Sequence, residues 1–250
     1  LLSQHEWLGR HIPQTEWMSR RALKQMLDQY GVVFAKPDVG SLGRGVIQIK
    51  TVSSAKSGSK YRMHDDAFVS YYRSFDSLYG ALHKKTDGKR YVVQQGIPLL
   101  QEQKKPVDLR VMVQKNPNRR WEVTGMIARV AHPKKVITNG SSGGTVLPLD
   151  TLLSGRTSAA RRKTLVAKLK RIGLNTAKHL EKSYPLLHET GLDVALTPKF
   201  GIWILEVNVR PDPRPFVKLK DKRQLRRIVQ CGKFYGRIYN LVPKFKQKPV

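Results

Sequence analysis

The chain has one cysteine in 250 residues, Cys231, which excludes an intramolecular disulfide and a zinc site built on several thiolates. It has no apolar run long enough to span a bilayer as a helix and no secretory signal, so the expectation is a soluble, cytoplasmic chain with no membrane span. Acids are scarce: 18 Asp and Glu stand against 47 Lys and Arg, a formal net charge of +29. That imbalance says nothing about fold, but its field gathers polyanions such as nucleic acid, anionic polymer, acidic peptide or nucleotide. The basic residues come in short clusters, among them Lys84-Lys85, Arg119-Arg120, Arg161-Arg162-Lys163, Arg226-Arg227 and Lys244, Lys246 and Lys248, so the charge belongs to a whole surface more than to one arm. No zinc finger, RNA-recognition motif or aromatic stacking series accompanies it, which leaves nucleic acid as a partner on charge alone. The length suits one large domain or two small ones with a real core.

Along the chain, residues 1–30 read as a lead-in and one helix, with Thr15 as cap and Trp17, Leu23, Met26, Leu27 and Tyr30 at near-helical spacing before Gly31. A strand over 32–35, a glycine-rich loop over 36–45 and a strand over 46–49 follow. The loop lacks the Gly-Lys-Ser/Thr ending of a Walker loop and opens no helix, which excludes a P-loop and a dinucleotide fingerprint. The kinase reading also fails, because neither a His-Arg-Asp nor an Asp-Phe-Gly segment lies downstream. Two readings stay open: an ordinary glycine turn, or a flap whose Gly40, Gly43 and Gly45 bring amides to phosphate oxygens, with Ser41 as a hydroxyl donor and Lys36 at its root.

Residues 61–72 hold strand-like pieces, 75–83 a short helix and 91–95 a strand that 96–100 continue past a break, either a hinge or a strand end. Strands over 108–114 and 121–130 pair across a turn at 116–118. Arg110 and Arg129 sit inside these apolar strands, where an unpaired charge is expensive, so each must meet an acid or line a cavity for an anion; Asp108 is at hand for Arg110. The small-residue loop 139–144 either faces phosphate with its amides or is a turn. A helix covers 158–181, and a basic helix from 217 to about 229 leads into an irregular tail that orders on docking.

Residues 191–211 read as a β-hairpin whose turn lies at 197–201. With a four-residue loop, Thr197 faces Ile202, Ala195 faces Ile204 and Asp193 faces Glu206, which puts Asp193, Glu206 and Asn208 on one face, away from Trp203, Leu205 and Val207. Opposed carboxylates repel, so they need a cation. Either lysines neutralise an exposed hairpin end, or two carboxylates and an amide oxygen hold Mg²⁺, which takes its other ligands from water and nucleotide phosphate.

The order of these features resembles that of the ATP-grasp ligases, and within them the endospore coat-associated YheC/YheD group. The resemblance spans roughly residues 11–211. It is carried by His11-Ile-Pro-Gln-Thr15, Lys36-Pro37 with Gly40 to Gly45, Gln94-Gln-Gly-Ile97, residues 108–116, 121–131, 138–144 and Glu189 to Pro211, which holds the Asp-x₁₂-Glu-x-Asn hairpin. It implies an α+β fold in which two α/β lobes with antiparallel sheets clamp a nucleotide: a small lobe over 31–95, a large lobe over 96–216, and a basic helix and tail over 217–250. It implies ATP and Mg²⁺ as cofactors. Lys36 and the flap (Gly40, Ser41, Gly43, Gly45) would hold phosphates, Gln94, Gln95 and Ile97 would lie at the nucleotide, the last two touching adenine through the backbone, and Asp193, Glu206 and Asn208 would bind two Mg²⁺ ions. Arg110, Arg129 and Arg210 would stabilise the transferring phosphoryl group and an acyl phosphate that an amine then attacks.

Three departures accompany the match. These ligases carry a further domain ahead of the matched region, which this chain begins too late to contain. Glu102 is the only acid near Gln95 to hold the ribose, and Asp38 puts a negative charge inside the flap. The leading expectation is a carboxylate-amine ligase working on an acidic peptide or polymer. The alternative is a non-catalytic spore-coat or polyanion-binding protein that keeps the fold.

Overall fold

The computed structural model describes residues 1–40, 44–52, 58–65, 68–131 and 144–242. Ser41 and Gly43 of the flap, and 139–143 of the second small-residue loop, lie outside them. The described residues divide into two compact units, a small one over Pro13–Ile97 and a large one that takes residues 1–12, 98–131 and 144–242.

The large unit begins with a short helix, α1 (Glu6–Gly9), capped by the His5 ring. In the small unit, β1 (Thr15–Trp17), β2 (Val32–Pro37), β3 (Ile47–Thr51), β4 (Tyr61–His64), β5 (Val69–Tyr72) and β6 (Tyr91–Gln95) form one antiparallel sheet in the order β1-β6-β2-β3-β4-β5. Helices α2 (Arg20–Tyr30) and α3 (Phe75–Thr86) cover one face, with Leu23, Met26, Leu27, Leu78 and Leu82 packed on Val33, Ala35, Ile47, Ile49 and Val93. The helix expected from Thr15 starts later: Ser19 caps it by accepting from the Ala22 amide, and Thr15 to Trp17 pair with β6 instead. Burial of α2's apolar stripe drives the helix, and polar Thr15 and Glu16 contribute nothing to that stripe. Gly31, at φ +68°, ends it by donating to the Leu27 carbonyl.

Residues 96–100 are not a strand. Gly96 donates to the Val32 carbonyl, and a Cβ there would stand 2.7 Å from Val32 atoms, so the glycine permits the close approach and Pro98 then offers no donor for a ladder.

The large unit continues with β7 (Gln101–Glu102), β8 (Lys105–Lys115), β9 (Trp121–Val130), β10 (Thr145–Pro148), α4 (Leu149–Leu153), α5 (Ala159–Ser183), β11 (Glu189–Leu196) and β12 (Ile202–Asn208). Its sheet is antiparallel in the order β10-β9-β8-β11-β12, with β7 paired to β8. One face packs on α4 and on α5, which Ser158 caps: Leu165, Leu169 and Ile172 meet Leu109, Val111, Val113, Leu192 and Val194. The C-terminal helix expected from 217 is two pieces, α6 (Arg214–Val217) and α7 (Arg223–Phe234), because Phe216 and Leu219 turn inward onto Met112 and Ile127, between the helices. The tail expected to wait for a partner is docked as far as Tyr239 on this same chain.

Candidate functional site

The hairpin β11–β12 is built around a cancellation. Its ladder pairs Leu196 with Ile202 and Ala195 with Trp203, not Thr197 with Ile202 or Ala195 with Ile204, so the loop is one residue longer than expected. Phe200 takes the left-handed conformation at φ +63°, and Thr197 ties the loop by accepting at Oγ1 from the Gly201 amide at 2.9 Å. A register shift beyond Val194 and Ile204, with Leu205 as the extra residue, then restores Asp193 opposite Glu206 and puts Gly191 opposite Asn208. Asp193, Glu206 and Asn208 therefore share a face, while Val207 joins the core on the other. Trp203, opposite Ala195, falls on the acids' side of the sheet and not away from it.

The neighbouring strands bring two arginines to that face. Arg110 on β8 is in register with Asp193, and Asp108 lies opposite Arg129 of β9. Arg110 Nε donates to Asp193 Oδ1 at 2.6 Å, and Arg129 reaches the same oxygen at 3.0 Å. Arg129 also grips Asp108 with two hydrogen bonds, of 2.7 and 2.5 Å. Asp108 is thus the partner of Arg129, and Arg110 takes Asp193. All four side chains are buried, and their formal charges balance. Burial alone would raise the Asp193 carboxyl, but Arg110 and Arg129 outweigh it and hold the group below its ordinary 3.8, ionised at neutral pH. Burial likewise works against the Arg129 cation, and Asp108 and Asp193 reverse it, holding the guanidinium firmly charged.

One atom of this lattice stands apart. Asp193 Oδ2 is buried without a hydrogen-bond partner. A buried carboxylate oxygen in that state costs free energy unless a ligand meets it. With Glu206 exposed directly opposite and Asn208 half-buried one pair further on, the set offers three hard oxygen donors and fits a hydrated Mg²⁺. Among the described residues no cluster of three His, Cys, Asp or Glu could hold a metal, so such an ion would depend on the amide, water and phosphate for its remaining ligands.

In the small unit, Lys36 and Gln94 share the sheet face opposite α2 and α3. Lys36 Nζ donates to Gln94 Oε1 at 2.5 Å, and Gln94 Nε2 donates to Thr15 Oγ1 at 3.0 Å. At the root of the flap, Gly45 takes φ +77° and its carbonyl accepts from the Tyr91 hydroxyl; Gly40 packs over Pro37. Asp38 turns to Arg90, 3.7 Å away, which answers the charge that looked misplaced beside phosphate. The Gln95 amide is taken by the Gln14 carbonyl at 2.9 Å, whereas the Ile97 amide makes no backbone hydrogen bond among the described residues.

Two further candidates remain. Glu102 is ion-paired with Arg156, which also donates to the Gln101 carbonyl at 2.9 Å. Arg210 is exposed beyond the end of β12. What the sequence reading missed is the setting of the hairpin: Pro211 folds over Gly191, where a Cβ would stand 2.5 Å from Pro211 Cβ, and Asp212 is held by Arg214 at 2.8 Å. A glycine two residues before the buried acid was the one signal available.

The two antiparallel sheets with their helices are those of an ATP-grasp fold. The chain belongs to the YheC/D like ATP-grasp family, whose description matches residues 1–237. It is similar to two proteins of Bacillus subtilis strain 168. With the endospore coat-associated protein YheD it shares 29% identity over 217 residues, covering 84% of this chain and 46% of YheD. With the endospore coat-associated protein YheC it shares 24% identity over 224 residues, covering 89% of this chain and 61% of YheC. The chain therefore spans about half the length of the curated relatives it matches. Of solved structures, D-cycloserine synthetase DcsG aligns at a TM-score of 0.50 and 10% identity over 90% of this chain and 66% of that one, a likeness of fold. Among the described residues no helix is long and apolar enough to cross a membrane.

Proposed function

We propose that this chain is an ATP- and Mg²⁺-dependent ligase that joins a carboxylate to an amine or thiol through an acyl phosphate. The observation that carries the reading is the unpartnered, buried Oδ2 of Asp193 beside two buried arginines, in a chain of the ATP-grasp family. A bound Mg²⁺ would supply charge neutralisation at the phosphates. Asp193, Glu206 and Asn208 would hold it. Lys36, Gly40, Ser41, Gly43 and Gly45 would take the phosphates, Gln94, Gln95 and Ile97 the adenine side, and Glu102 the ribose.

In the reaction, a substrate carboxylate oxygen attacks the terminal phosphorus and ADP leaves. The amine then attacks the acyl carbon, inorganic phosphate leaves, and the amine proton passes to solvent or phosphate. Arg110, Arg129 and Arg210 would bear the negative charge that gathers on the transferring group, a task that needs positioned cations more than a covalent nucleophile. A net charge of +29 favours an acidic peptide or polymer as substrate, and the two relatives named for the endospore coat favour association with that structure.

Calorimetry of ATP with and without Mg²⁺ tests this, comparing the native chain with an Asp193→Asn, Glu206→Gln double variant. The expected result is Mg²⁺-dependent binding that the double variant loses. Native protein that ignores ATP, or a double variant that binds as well as the native chain, overturns the proposal.

A further inference from the structure

The face that carries Asp193 carries a second buried acid on the same strand. Glu189 is 4% exposed. Its Oε2 accepts from the Tyr235 hydroxyl at 2.9 Å and from the Tyr239 hydroxyl, and its Oε1 is ion-paired with Arg237. Gln114 on β8 locks the two tyrosines from below: Nε2 lies 2.6 Å from the Tyr235 hydroxyl, 2.9 Å from that of Tyr239 and 3.1 Å from the Ile228 carbonyl. The tail after α7 is therefore fastened to the sheet by two tyrosine hydroxyls, a glutamine amide and the Arg237 cation around one carboxylate.

Arg237 links that network to the metal hairpin. Its Nη2 donates to the Pro211 carbonyl at 3.1 Å. Pro211 is the residue that folds over Gly191, and Gly191 is paired with Asn208. One guanidinium thus ties the start of β11 to the chain just beyond the end of β12. Between those two ties lie Asp193, Glu206 and Asn208. We propose that Arg237 is a positioning residue: by bridging Glu189 and the Pro211 carbonyl it clamps the exit of β12 onto β11, and so fixes Glu206 and Asn208 against Asp193. The proposal rests on the metal site inferred above, and it extends that site to a residue outside the hairpin.

Two measurements on the full chain test it, with Arg237→Gln and Arg237→Lys as variants. The first is amide hydrogen exchange. Arg237→Gln should speed exchange over residues 206–212 about tenfold, the loss expected of one charge-assisted hydrogen bond, while α2 and α5 keep their rates. The second is ATP affinity. Arg237→Gln should weaken the Mg²⁺-dependent part about tenfold and leave metal-free ATP binding unchanged, and Arg237→Lys should recover part of that loss because its ammonium can still reach Glu189. Unchanged exchange over 206–212 with intact Mg²⁺-dependent binding sinks the clamp alone. Exchange that rises throughout the unit, with metal-free and metal-dependent binding falling together, also overturns it, since that is the behaviour of a residue needed only for folding. A native chain without Mg²⁺-dependent binding sinks the ligase reading with it, and the exchange data then separate the two failures.

Discussion

Glu189 and Asp193 are two buried carboxylates on one strand and one face, yet their oxygens are treated differently. Glu189 has the hydroxyls of Tyr235 and Tyr239 on Oε2 and the Arg237 cation beside Oε1, which makes no hydrogen bond of its own. Asp193 has two arginines on Oδ1 and nothing on Oδ2. Burial of an acid is therefore a poor guide to its role, and whether each oxygen has a donor or a cation beside it is a better one. A carboxylate that only holds the fold together is expected to have a donor or a cation at both oxygens, because a bare one is costly away from water. An acid that keeps a vacancy while held ionised by two cations is poised for a ligand from outside.

The contrast is broken most easily at the arginines. Arg129→Met removes both hydrogen bonds to Asp108 and one contact to Asp193, taking one buried cation away from two buried acids. The expected cost is about 3–5 kcal/mol in urea unfolding. The next effect in size is on acid stability. Asp193 has its folded pKa depressed below 3.8, so it contributes stability that is present above that value and lost as pH falls through the lower, folded one. Below about pH 4 the native chain should therefore lose stability more steeply than Asp193→Asn, as read from denaturant midpoints across the acid range. At Glu189, Tyr239→Phe takes one donor from Oε2 and leaves Tyr235 and Arg237 in place, at a cost of about 1 kcal/mol. If the tyrosine variant unfolds more readily than Arg129→Met, the tyrosine network and not the ion lattice carries the sheet, and the contrast fails.

Much of the hairpin was legible from residue order alone, because side chains alternate along a strand and Asp193 and Glu206 flank a turn marked by Pro198 and Gly201. The register between them was not. An extra residue in the loop and another in the bulge at Leu205 cancel, so the acids come out opposed even though Trp203 changes face. Arg110 and Asp108 are close in sequence, which suggested that they pair. Cross-strand opposition decides otherwise and gives Asp108 to Arg129. Thr15 looked helical because Trp17 falls into the spacing of the stripe that follows, and only pairing with the distant β6 overrides it. Glu189, Gln114, Tyr235, Tyr239 and Arg237 share no local pattern, and nothing short of the fold brings them together. The sheets were readable from periodicity, whereas the polar contacts that fasten them depend on tertiary neighbours.

The smallest expected stability effect belongs to the residue with one of the largest expected effects on binding. Glu206 is exposed on β12, so Glu206→Gln should change unfolding free energy by less than about 0.5 kcal/mol. Glutamine keeps the length of the side chain and one oxygen but removes the charge that a divalent ion would need beside Asp193. Mg²⁺-dependent ATP binding should therefore fall while the melting transition stays where it was. Both numbers come from the same preparation, which excludes misfolding as the cause of any loss. Retained binding would give Glu206 no part in holding the metal. The vacancy at Asp193 Oδ2 would then call for a ligand other than a hairpin-bound metal, and the difference between the two buried acids would have to be explained by the arginines alone.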